Sequence, residues 1–173
     1  KLYCFVYTPK MSLQSYIQHT RSKKEELQLF WSLLSQKKQL SFSTKSITAQ
    51  GIITNIGQEK VKVTQNEKTL LFEEQGHWIV NQKLSGAFAN TFRWTLEEMN
   101  YKITLEHLRY GRSRPVFLFQ LTPTKPFTLE PIDAHLCVSD TYLGSIFWSD
   151  SSIEFQWRII GPSKNDTLIY LYT

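Results

Sequence analysis

From Phe88 onward the chain alternates. Phe88, Phe92, Trp94 and Leu96 fall on one parity, and Ala89, Thr91, Arg93 and Thr95 on the other. That period of two marks a strand with one buried face. The polar turn Glu97-Glu98-Met99-Asn100 leads to Tyr101, Ile103, Leu105 and His107, which alternate with Lys102, Thr104 and Glu106. Two such runs predict an antiparallel hairpin. A second hairpin is predicted where Tyr142, Ile146 and Trp148 are followed by the turn Ser149-Asp150-Ser151-Ser152 and by Ile153, Phe155, Trp157 and Ile159, which oppose Glu154, Gln156 and Arg158. Gly161-Pro162 turns the chain again, into a run that places Leu168, Tyr170 and Tyr172 on one face.

The stretches between are less regular. Lys60-Val61-Lys62-Val63-Thr64 reads as a strand with an exposed face, with breaks expected at Gly51 and at Asn55-Ile56-Gly57. Leu70–Glu73 and His77–Val80 read as two short strands about Gln75-Gly76. Val116–Leu121 is apolar on both parities, as in a strand buried on both faces. Pro123, Pro126 and Pro131 are expected to keep residues 122–133 out of a sheet interior, which makes that segment a lid or strap.

Before the first strand the period changes. Ser22 and Glu25 have capping-box spacing, and Leu27, Phe30, Trp31 and Leu34 form one apolar stripe at i, i+3, i+4 and i+7. A helix is predicted over about 23–37, packed against the barrel. The chain divides into an N-terminal segment, 1–38, and a barrel domain, 39–173. The fold class is all-β: an antiparallel up-and-down barrel of about eight to ten strands with an N-terminal helix.

Composition supports a closed β fold, since aromatic residues are 14% of the 173-residue chain and sit mostly in the alternating runs. The net charge of +5 is uneven. Residues 1–50 carry eight Lys or Arg against two Glu, and residues 51–173 carry twelve against thirteen Asp or Glu. A solvated surface is the ordinary reading of that basic segment, and nucleic acid is not the expected partner. Cys4 and Cys137 suggest no disulfide framework, and the apolar run Leu2–Tyr7 is too short for a signal core or a membrane span, so the expected compartment is the cytoplasm. Met11-Ser12 has the look of a native start, with residues 1–10 a remnant or the end of something larger. The sequence names neither a cofactor nor an oligomeric state.

Four groups of residues, Phe92-Arg93-Trp94, Gly111–Phe117 with Arg112, Arg114 and Pro115, His135-Leu136-Cys137 with Asp140 and Tyr142, and Trp157-Arg158 with Gly161-Pro162 and Lys164, carry a family resemblance. From about residue 40 to 172 the chain resembles a bacterial family of small lipocalin-like β-barrels known only as a domain of unknown function. It departs from the family pattern at Val138-Ser139 before Asp140, at Ser163, and at Asn165-Asp166. The resemblance implies a barrel with an interior site and no established activity.

His135 and Cys137, two residues apart, put two donor atoms on one side of a strand. With no CxxC, HExxH or second His/Cys pair, a metal is not expected. Alternate residues on one strand rarely make a nucleophile–base pair, so a Cys137–His135 catalytic dyad is not expected either. His135 bonded to backbone, beside a Cys137 packed as a small hydrophobe, is the plainer alternative. Arg93 and Arg158 lie on the parity opposite the large aromatics. If those aromatics packed outward against the helix, both arginines would face the lumen and clamp an anion. The candidate ligand-binding set is therefore Arg93, His135, Tyr142 and Arg158, with Asp140 bonding backbone amides of its turn. The expected function is binding of a small amphipathic or anionic molecule in the barrel. The runner-up is an enzyme using the same cavity for acid–base chemistry, with His135 or Asp140 as base and Tyr142 as acid, and the third reading is an interaction scaffold whose basic N-terminal segment binds a partner.

Overall fold

The computed structural model describes residues 21–49, 51–80, 83–137 and 139–173, so Cys4, the run Leu2–Tyr7 and Met11-Ser12 lie outside the described residues. A helix α1 (Lys23–Leu34) precedes eleven strands: β1 (Gln39–Thr48), β2 (Gly51–Asn66), β3 (Thr69–Val80), β4 (Lys83–Glu97), β5 (Lys102–His107), β6 (Val116–Lys125), β7 (Thr128–Pro131), β8 (His135–Cys137), β9 (Asp140–Trp148), β10 (Ile153–Gly161) and β11 (Lys164–Tyr172). Neighbours pair antiparallel in the order β10-β11-β1-β2-β3-β4-β5-β6-β7-β9, and β9 pairs back with β10. The result is a closed barrel of ten strands. β8 is a short flank that pairs with the first residues of β9, beyond the stretch that β7 covers. Closure leaves the wall no free edge.

One interior forces one buried parity on every strand. Leu40 and Phe42, Leu70 and Phe72, Phe92 and Trp94, Ile103 and Leu105, Phe119 and Leu121, Phe155 and Trp157, and Tyr172 are all buried in a single core cluster. The double-faced expectation for Val116–Leu121 is corrected: Phe119 and Leu121 are buried and Leu118 is half-buried, while Phe117, across the register shift of the β5–β6 ladder, is exposed. Tyr101 also leaves the buried parity. It sits at φ 52, closing the 3-10 turn Glu98–Asn100 ahead of β5.

Gly51 breaks the chain as expected, at the β1–β2 reversal, but Gly57 and Gly76 do not interrupt their strands. β2 runs unbroken for 16 residues and β3 for 12. At Gly57 the bare backbone receives the Phe42 ring, and at Gly76 a Cβ would stand 2.6 Å from the Glu59 side chain. These positions need room for a neighbour across the sheet, and extended backbone supplies it without a turn. The proline segment is likewise a hairpin of the wall, not a lid: Pro131 pairs with Leu121 and Pro123 with Leu129. The strain is absorbed by an irregular register between Pro123 and Lys125 and by Phe127 at φ 56. Prolines at strand ends and bulges cost no ladder bond.

The helix forms where its capping box predicts, with the Ser22 hydroxyl accepting from the Glu25 amide and the Glu25 carboxylate accepting from the Ser22 amide. It ends at Leu34, three residues short of the sequence boundary. Leu27, Phe30, Trp31 and Leu34 are buried, and the Phe30 ring meets Trp148 edge-on at 6.1 Å. The Phe127 amide donates to Glu26 at 3.2 Å, and Lys37 donates to the Ser151 carbonyl at 2.7 Å. Phe127 and Ser151 lie in connections at one end of the barrel, so α1 closes that end. The β1–β2, β5–β6, β8–β9 and β10–β11 connections ring the other end, open in that no helix among the described residues covers it. Among the described residues no helix is long and apolar enough to cross a membrane.

Candidate functional site

Two polar groupings stand on the aromatic interior. The first lies toward the open end. β8 and β9 pair so that His135 and Tyr142 are directly opposite, with ring centroids 5.6 Å apart. His135 also meets Phe117 at 5.9 Å and Phe119 at 6.4 Å, and Phe119 leads inward to Trp157 at 5.1 Å. From β5, His107 stacks on Phe92 at 4.7 Å. Burial pushes the imidazoles of His107 and His135 below their ordinary value, with the Arg109 charge adding to the effect at His107. Both therefore favour the neutral ring, which can donate at one nitrogen and accept at the other.

The second grouping lies deeper. Glu74 on β3 is fully buried, and its Oε1 accepts from the Tyr172 hydroxyl at 2.8 Å. Glu59 on β2 is 6% exposed and lies over Gly76. Burial raises the Glu59 carboxyl to about 8, with the Glu74 charge as the second cause. Burial raises Glu74 to about 7, opposed by hydrogen bonds from Tyr172 and Asn90. Tyr170 and Tyr172 are themselves pushed up, first by burial and then by Glu74. The second oxygens of Glu59 and Glu74 have no hydrogen-bond partner, nor do the indole nitrogens of Trp94 and Trp157 on the same interior face. Sequence reasoning passed over this grouping. Its signal was a carboxylate on an apolar parity, Glu59 with Val61 and Glu74 with Leu70 and Phe72.

The structure brings His135 and Tyr142 together but separates them from the arginines. Because the large aromatics fill the lumen instead of packing outward on the helix, the opposite parity faces out. Arg93 stands opposite Glu106 across β4–β5 and bonds it at 2.6 Å, and Arg158 donates to Asn165 at 2.9 Å on the exposed side. The lumenal arginine clamp is corrected accordingly. Asp140 also differs from expectation: its partner among the described residues is Lys164, at 2.5 Å, and its carboxylate fills the space left by Gly161. It ties the β8–β9 connection to the β10–β11 turn. Cys137 lies in β8 opposite Asp140. Among the described residues no three His, Cys, Asp or Glu gather as metal ligands.

The fold defines the chain as a closed, ten-strand antiparallel β-barrel with a helix over one end and polar residues set among aromatics inside. It belongs to a family of unknown function (DUF6314), whose model matches residues 30–173. No curated protein matches it.

Proposed function

We propose that the protein binds a small amphipathic molecule in the barrel, admitted at the open end past His135 and Tyr142. The observation that carries this reading is the set of buried, unpartnered polar atoms on an otherwise aromatic interior: Glu59 Oε2, Glu74 Oε2, Trp94 Nε1 and Trp157 Nε1. Buried polar groups are ordinarily satisfied by protein, water or ligand, because an orphan costs about 1–3 kcal/mol. A ligand with a flat apolar body would pack on the rings, and its polar atoms would answer the carboxyls and indoles. Among the described residues of the strands, the cation on the inward parity is Lys164, at the mouth and paired with Asp140, so an anionic group on such a ligand would stay near the rim.

The test is mass spectrometry of small molecules carried through native purification, followed by the same measurement on His135→Ala and Tyr142→Phe. Reduced retention with unchanged melting supports the reading. Loss of the fold in His135→Ala would make the histidine a structural residue, and a protein that carries nothing and shows no tryptophan fluorescence response to aromatic amphiphiles would count against binding.

Acid–base catalysis in the same interior has one observation in its favour. Carboxyls raised to about 7 and about 8 hold and release protons near neutrality, as general acids and bases do. Conversion of a retained ligand, abolished by Glu74→Gln, would select this second reading.

A further inference from the structure

Several large apolar side chains are exposed together on the open rim. In the β1–β2 hairpin Ile47 pairs with Ile52, next to the pair Thr48 and Gly51, and Gly51 takes φ 127 to make the reversal. Ile52 is 63% exposed, and Ile47 and Ile53 are each 49% exposed. From Ser46 to Thr54 the chain carries no charge. Elsewhere on the same rim, Leu136 of β8 is 72% exposed and Tyr110 of the β5–β6 connection 57%. Isolated exposed apolar side chains are ordinary, but these stand on three separate connections that share one end of the barrel.

One connection of the same end is cationic. The β5–β6 connection, residues 108–115, holds Arg109, Arg112 and Arg114 and no acid. All three arginines are exposed, and none has an ion pair among the described residues. Arg109 and Arg114 both lie against the Tyr110 ring, at 5.0 and 6.0 Å, which holds two like charges side by side around an aromatic. Four other basic residues do have ion pairs among the described residues: Arg93 with Glu106 and Lys62 with Glu73 on the wall, Arg21 with Glu26 at the helix, and Lys164 with Asp140 at this same rim.

We propose that this rim docks on an anionic membrane surface, with the Ile47–Ile53 hairpin tip and Leu136 entering the interfacial layer and Arg109, Arg112 and Arg114 meeting lipid phosphates and carboxylates. A nucleic acid would reward the arginines and gain nothing from an uncharged hairpin of isoleucines. An apolar protein groove would reward the isoleucines and leave three arginines without partners. An anionic bilayer rewards both, and its flat surface reaches connections on different sides of the barrel at once. Docking in this orientation sets the mouth against the layer where amphipathic molecules partition. The proposal concerns the outer rim and stands whether or not the interior holds a ligand.

Co-sedimentation of the full chain with vesicles of phosphatidylcholine, with and without phosphatidylserine, tests it. The protein is expected to bind the phosphatidylserine vesicles and to release as salt rises. Replacing Arg109, Arg112 and Arg114 together by Glu should weaken binding by roughly 100-fold or more. The double substitution Ile52→Ser with Ile53→Ser should weaken it by about tenfold or more. Both variants alter exposed side chains, so melting temperatures matching the parent will show that the fold is kept, and Ile52→Thr serves as a milder replacement if it is not. Absence of binding, binding that neither variant weakens, or tighter association with a single-stranded oligonucleotide than with the vesicles would overturn the proposal.

Discussion

The Tyr172 hydroxyl donates to Glu74 at 2.8 Å, and the two side chains come from strands 98 residues apart in sequence with almost no solvent contact. The bond joins the last strand of the barrel to the third across the interior. Tyr172→Phe removes this donor from a fully buried carboxyl, so stability should fall by about 1–3 kcal/mol in denaturant unfolding. An unchanged midpoint would mean that water replaces the hydroxyl without loss.

The two interior carboxyls predict an inverted acid dependence. Their folded values, about 8 for Glu59 and about 7 for Glu74, lie above the ordinary 4.5. Between 4.5 and those values the folded chain holds protons that the unfolded chain has released, so stability falls as pH rises. Their contribution is fully present below about pH 4.5 and gone above about pH 8. Melting temperature followed from pH 5 to 8 should decline, and Glu59→Gln and Glu74→Gln should each flatten the decline. A parent profile that is level over that range would contradict the burial of both acids.

Gly76 and Gly86 offer a matched pair of substitutions. A Cβ at Gly76 would meet the Gln58 carbonyl and Glu59 Cγ, both at 2.6 Å, whereas one at Gly86 has nothing within 4 Å. Gly76→Ala should cost about 1–3 kcal/mol by overpacking. Gly86→Ala should leave the midpoint within about 0.5 kcal/mol, as ordinary surface substitutions do. Equal effects would remove the close approach of Glu59 as the reason for Gly76.

Closure of the barrel by α1 rests on one ring more than any other. Phe30 is fully buried and packs on Trp148. Phe30→Ala should cost about 3–5 kcal/mol and lower the melting temperature by several degrees or more. A melting curve like the parent's would make the helix a loose appendage.

Arg93 serves as the control for the interior. Its bond to Glu106 is on the outer wall and partly solvated. Arg93→Met should therefore cost no more than about 1 kcal/mol and leave ligand retention unchanged. A retention loss like that expected for His135→Ala would return the arginine to the site.

Alternation by itself determined the strands around Phe92–Arg93–Trp94 and Phe155–Trp157–Ile159, because a period of two obliges neighbours to opposite faces whatever the sheet does next. The Ser22–Glu25 box and the Leu27–Leu34 stripe determined the helix for the same local reason. Which parity faced inward was a different kind of question. Only closure decided it, since the ten-strand circuit has one interior and the rings of Phe72, Trp94, Phe119 and Phe155 occupy it, leaving Arg93 and Arg158 outside. Gly57 and Gly76 looked like strand breaks because their purpose lies across the sheet, in Phe42 and Glu59. The prolines looked like a loop because the register irregularity that admits them is a property of a strand pair. The pairing of Tyr172 with Glu74 likewise has no local signature. Strand parity sends both side chains inward, but their meeting depends on how β11, β1, β2 and β3 curve around one core.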